Sequence, residues 1–179
     1  MTALLAAASP FDTAFGLPVH ALVVHAVVIL LPLAAIGGMA MAVRTDWSRR
    51  FGTASVLAAF IGTGAAFAAS KSGQQLQSRV DTPLNKVVHA QIATHASVGR
   101  QVKYVAFALL VLVAVLWWKD RKSRDGGRRT TLVNVVAGVT FVASLGAVVW
   151  TVRAGDSGAR AVWQTTVQHT KTGNYPVQG

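Results

Sequence analysis

Four long apolar stretches dominate this 179-residue chain. The first runs from Val19 to Val43, interrupted only by His20 and His25. The second runs from Phe51 to Ala69, and the third from Tyr104 to Trp118. The fourth runs from Leu132 to Val152 and carries Asn134, Thr140, Ser144 and Thr151. A membrane-spanning helix needs roughly 20 predominantly apolar residues, and three stretches meet that directly. The third is short, but it extends back through Val98, Gly99, Gln101 and Val102, with Arg100 and Lys103 reaching to the interface. Core helices of a soluble bundle would each carry a polar face, and Phe51–Ala69 has none. The pattern therefore predicts an integral membrane protein, a single domain over 1–179, with spans at 19–43, 51–69, 98–118 and 131–152.

Composition agrees. Charged residues are 13% of the chain, about half the share usual in a soluble domain. The six acids are all aspartate, and there is no cysteine. That excludes disulfides, cysteine-ligated zinc, iron–sulfur clusters and thiol catalysis. The 17 Lys and Arg residues give a net charge of +11, which in a soluble protein suggests nucleic acid. Their positions say otherwise. Arg44, Arg49 and Arg50 lie in one short loop; Lys119, Arg121, Lys122, Arg124, Arg128 and Arg129 lie in another. Basic residues crowded at span ends mark the cytoplasmic side. Both termini and the segment 70–103 are then expected outside, with the lipid bilayer and not nucleic acid as partner. Trp47, Trp117 and Trp118 fall at the inner interface; Tyr104, Trp150 and Trp163 fall at or near the outer one. Residues 1–18 contain no Lys or Arg, so the first stretch reads as a retained span and not a cleaved signal.

Small residues set the expected packing. Ala58, Gly62 and Ala66 form a small-xxx-small ridge on the second span; Ala34 with Gly38, and Ala143 with Ala147, do the same on the first and fourth. Such ridges let helices approach closely in lipid. The expected fold is an all-α, membrane-embedded four-helix bundle. Asp81-Thr82-Pro83 resembles a helix start, and an apolar row follows through Leu84, Val88, Ile92, His95, Gly99, Val102 and Ala106. The third helix is thus predicted to extend outward over about 83–97. In the tail 153–179, Gly155 and Gly158 suggest a tight turn, with Asp156 or Ser157 capping a short amphipathic helix beyond it. A contact of Asp156 with His20 or His95 is open there.

Five histidines remain as the side chains from which a site can be argued. No span centre carries Asp, Glu, Lys or Arg, which argues against a pump or proton-coupled transporter. No nucleophile–base set, paired carboxylates or His-Glu-x-x-His zinc pattern is present. The chain is not expected to be an enzyme by itself. His25 lies about seven residues past Pro18, roughly 10 Å into the span. His95 sits on the apolar row of a different helix. His25 with His95 is the leading pair for metal or haem ligation, with His20 and His89 in reserve. His20 and His25 lie about 140° apart round a helix, and His89 lies about 120° from His95. His169 falls in a polar tail. Three readings stay open: haem, copper or zinc at the outer surface, or imidazoles that only fix helix packing.

At these residues the sequence resembles a family. Leu17-Pro18-Val19-His20-Ala21-Leu22-Val23-Val24-His25, continuing to Leu30-Leu31-Pro32-Leu33-Ala34, looks like the opening of the bacterial membrane proteins termed domain of unknown function 2231. Ser72-Gly73, the pair His95 and Gly99, and Gly155-Asp156-Ser157-Gly158-Ala159-Arg160-Ala161-Val162-Trp163 agree in order, so the resemblance covers nearly the whole chain. It implies a four-span protein of the bacterial cytoplasmic membrane. Some relatives are joined to Rieske-type iron–sulfur domains, which implies a link to electron transfer and a redox partner; the histidines leave haem b or another metal as the cofactor expectation. Ala21 stands where proline often follows the first histidine, and Asp156 where a histidine is common. The second departure removes a ligand position and leaves His25 and His95 as the pair. A non-catalytic scaffold or partner subunit, or a homo-oligomer, is the rival expectation.

Overall fold

The computed structural model describes residues 13–14, 17–80, 86–122 and 129–172. Four helices make the fold: α1 Val19–Val43, α2 Thr45–Val80, α3 Lys86–Lys122 and α4 Thr131–Thr172. Before them, β1 (Thr13–Ala14) and β2 (Leu17–Pro18) form a two-residue antiparallel ladder. Pro18 ends that ladder and stands at the start of α1, where a missing N–H does no harm. All four helices are long and apolar enough to cross a membrane. Their outward faces carry Ile29, Leu33, Ile36, Phe60, Phe107, Val142 and Val149, all exposed. Surface of that kind belongs against lipid tails.

α1 packs chiefly on α2 and α4, and α3 on the same two, so α1 and α3 face each other across the diagonal of the bundle. The buried residues of every helix recur in alternating steps of three and four. α1 buries Val27, Leu31, Ala34, Gly38 and Met41; α2 buries Ser48, Gly52, Ser55, Ala59, Gly62 and Ala66. α3 buries Val102, Ala106, Leu109, Val113, Leu116 and Asp120; α4 buries Ala137, Thr140, Ser144, Ala147 and Thr151. This is the heptad spacing of a bundle whose side chains interlock. Bulk is divided unevenly. α1 and α3 supply Leu31, Met41, Leu109, Val113 and Leu116, whereas α2 and α4 supply glycine, alanine, serine and threonine. Large diagonal side chains meet in the middle because small neighbours let the other two helices close in. A Cβ on Gly62 would stand 2.9 Å from Leu31 Cδ2, and one on Gly38 would stand 2.7 Å from Ser144 Oγ.

The expected small ridges hold with two shifts in phase. Ala59, not Ala58, is buried on α2, and Ser144 takes the core position beside half-buried Ala143 on α4. α3 extends outward as expected, although the proposed helix start at Asp81-Thr82-Pro83 lies outside the described residues. α2 also continues past Ala69, to Val80. The expected turn at Gly155 and Gly158 does not form, because α4 runs unbroken through both to Thr172. Isolated glycines weaken a helix by only about 1 kcal/mol each, and packing on α3 outweighs that.

At the short-loop end, one ion pair ties three helices. The Arg129 guanidinium donates to Asp120 Oδ1 at 3.0 Å and Oδ2 at 2.6 Å. It also donates to the Ala42 and Met41 carbonyls at 2.7 and 2.6 Å. Those carbonyls lie at the C-terminus of α1, where no helical N–H remains for them. Asp120 is 1% exposed. Arg129→Ala leaves a buried carboxylate unpaired, and we expect it to destabilise the protein by about 3–5 kcal/mol in detergent unfolding. The double change Asp120→Leu with Arg129→Met is expected to recover most of that loss.

Candidate functional site at the outer end of the bundle

The core rows can be followed outward beyond the fully buried layers. Continuing in steps of three and four, α1 reaches Val24 and His20, and α2 reaches Ala69 and Gly73. α3 reaches Gly99 and His95, and α4 reaches Ala154 and Gly158. The last core layer is therefore His20, Gly73, His95 and Gly158, two imidazoles alternating with two glycines round the bundle. A Cβ on Gly73 would stand 2.9 Å from His20 Cε1, and one on Gly158 would stand 3.0 Å from His95 Cε1. Each ring lies against the bare backbone of the next helix, in space that alanine would take.

The ring nitrogens are held alike. His20 Nδ1–H donates to the Ala69 carbonyl at 3.0 Å, with Ser72 Oγ at 3.4 Å. Ser72 donates its own proton to the Ala68 carbonyl at 2.9 Å, so its oxygen is free to accept. His95 Nδ1–H donates to Ser157 Oγ at 3.1 Å, and the Ala154 carbonyl also faces the ring. Ser157 donates to that Ala154 carbonyl at 2.9 Å. Ala69, Ser72 and Gly73 on α2 thus repeat as Ala154, Ser157 and Gly158 on α4. A carbonyl oxygen only accepts, so Nδ1 of His20 must carry the proton and Nε2 keeps the lone pair. No hydrogen bond among the described residues engages Nε2 of either ring. The two ring centroids are 6.1 Å apart, with planes inclined at 76°.

Below the imidazoles the core is underfilled. The next layer holds Val24, Ala69, Gly99 and Ala154, three of them small. A small cleft of about 60 Å³ opens there, bounded by His20, His95, Val27, Ala66, Val102 and Thr151. A Cβ placed on Gly99 or Gly155, both on its wall, would touch nothing within 4 Å.

The structure brings His20, not His25, to His95. His25 is exposed on the opposite side of α1, its Nδ1–H bonded to the Ala21 carbonyl at 2.6 Å. Five residues of helix had already turned it off the core row. His89 is half-buried but is no part of the cleft wall, and the side chain of His169 lies outside the described residues. Asp156 bonds neither histidine; it pairs with Arg160 at 2.9 Å on the surface. The sequence marked Ser72 and Ser157 only as part of the family resemblance and, for Ser157, as a helix cap, not as partners of the histidines. The signal was present as the spacing Ala-x-x-Ser-Gly, which occurs after both the second and the fourth apolar stretches. Among the described residues no group of three or more His, Cys, Asp or Glu gathers to hold a metal, so a ligand here rests on the two imidazoles.

A membrane-spanning four-helix bundle with a diagonal histidine pair at one end is thus the class of protein defined by fold and site. The family model described as "Predicted membrane protein (DUF2231)" matches residues 16–171, and the chain belongs to that family. No curated protein and no solved structure matches it. Nitrogen NMR of the histidine-labelled protein, free of added metal, should show His20 and His95 as neutral Nδ1–H tautomers. Ser72→Ala and Ser157→Ala should each perturb only the ring they touch. Nε2–H tautomers would contradict the geometry.

Proposed function

We propose that the protein holds a haem b between His20 and His95 and serves electron transfer as a membrane accessory protein, not as an enzyme by itself. The observation that carries this reading is the pair of unengaged Nε2 atoms beside an underfilled core layer. The two ring centroids lie 6.1 Å apart, near enough for both rings to hold one group between them. Nδ1–H bonds to a carbonyl and a hydroxyl fix each ring and raise the basicity of Nε2. Val24, Val27 and Val102 would flank the macrocycle and keep water from it, and Ala69, Gly99 and Ala154 are the small residues it would lie against. When bound, such a group would supply single-electron exchange, at a potential set by the residues that hold it and its burial.

The distribution of charge supports a bacterial cytoplasmic membrane with the two short basic loops inside and the histidine pair outside. The competing arrangement is a scaffold whose imidazoles only pack edge to face. Absorbance of the purified full chain, expressed with haem supply, separates the two. A Soret band should be present, lost in His20→Ala and in His95→Ala, and kept in His25→Ala. A folded, colourless, metal-free protein would establish the scaffold instead.

A further inference from the structure

The opposite end of the bundle carries a second arrangement that the histidine site does not use. In the last turn of α3, Arg121 Cζ lies 5.0 Å from the Trp117 ring centroid. Lys119 Nζ and Lys122 Nζ lie 5.3 and 4.3 Å from the centroid of one indole, Trp118. At the adjoining start of α2, Arg44 stacks on Trp47 at 5.6 Å and Arg50 on Phe51 at 5.5 Å. Trp118 is 49% exposed. Trp117 lies against Gly52 of α2, where a Cβ would collide with its indole. The missing side chain is therefore what seats this aromatic between α2 and α3.

No hydrogen bond or ion pair among the described residues engages Lys119, Arg121 or Lys122. Asp120, the carboxylate between them in sequence, is buried and taken by Arg129. Asp46 is the other described acid at this end, and Asp125 lies in the loop outside the described residues. Two ammonium groups lie against one indole, that of Trp118. A guanidinium carries planar N–H donors in a fork that fits phosphate oxygens. Tryptophan belongs at the headgroup level of a bilayer. Cations set against indoles at the end of a membrane-spanning helix fit a phosphate fixed to a lipid.

We propose that the last turn of α3, with the adjoining start of α2, binds the headgroup of an anionic phospholipid through Lys119, Arg121 and Lys122, with Trp117 and Trp118 against the upper acyl chain. The site is independent of the histidine pair. Clustered Lys and Arg at the end of a span attract anionic lipid.

Thermal unfolding of the full chain in neutral detergent tests this. Phosphatidylglycerol should raise Tm by roughly 5 °C or more at saturation; phosphatidylcholine and inorganic phosphate should not. The variant Lys119→Gln/Arg121→Gln/Lys122→Gln should lose that rise. An equal rise with phosphatidylcholine, a rise with inorganic phosphate alone, or an undiminished rise in the variant would overturn the site. If the variant does not fold, native mass spectrometry of the unmodified chain decides. Preferential retention of phosphatidylglycerol over phosphatidylcholine supports the proposal, and equal retention overturns it.

Discussion

The unequal division of bulk between diagonal helices is the constraint on which this structure depends. In lipid, apolar surface gains little by leaving its solvent, so helices associate through close packing and polar contacts. Here α2 and α4 meet that demand with rows of glycine, alanine, serine and threonine. α1 and α3 fill the space so created with leucine, valine and methionine. The alternating step of three and four keeps each row on the bundle axis from Asp120 at one end to the histidines at the other. The Arg129–Asp120 pair closes the short-loop end by holding α3 and the start of α4 to the terminal carbonyls of α1.

The histidine pair follows from that same register. His20 and His95 occupy equivalent places on the two bulky helices, and Gly73 and Gly158 occupy equivalent places on the two small ones. The two hairpins thus present one device twice: a histidine on the first helix, docked on Ala-x-x-Ser-Gly of the second. Facing across the diagonal, the two copies put two lone-pair nitrogens beside one cleft. The small cleft below them is lined by Val24, Ala69, Gly99 and Ala154 and reaches Val27, Ala66, Val102 and Thr151 of the next layer. It is this cleft beside two lone-pair nitrogens, rather than the presence of histidine, that gives the haem reading its physical basis.

Much of the fold was legible in the sequence because long apolar runs leave few choices. The row through Val88, Ile92, His95, Gly99, Val102 and Ala106 was visible because polar residues interrupt the outer part of α3. The row on α1 was not. In a helix apolar all round, hydrophobicity marks no face, and His25 was favoured for its depth when His20 had the right phase. Counting back from Val27 in steps of three and four reaches Val24 and His20, but only residue size hints where the count should begin. Gly155 and Gly158 suggested a turn because local propensity says nothing of the close approach that seats His95. Asp120 and Arg129 read as loop charges because their pairing requires the end of α1, distant in sequence, to arrive beside them.

Pulsed EPR on the oxidised full chain reconstituted with haem tests the diagonal pair most directly. The account predicts low-spin iron coupled to two imidazole nitrogens, with the couplings disappearing singly in His20→Ala and in His95→Ala. High-spin iron, coupling to one imidazole only, or a spectrum altered by His25→Ala and untouched by His20→Ala would contradict it.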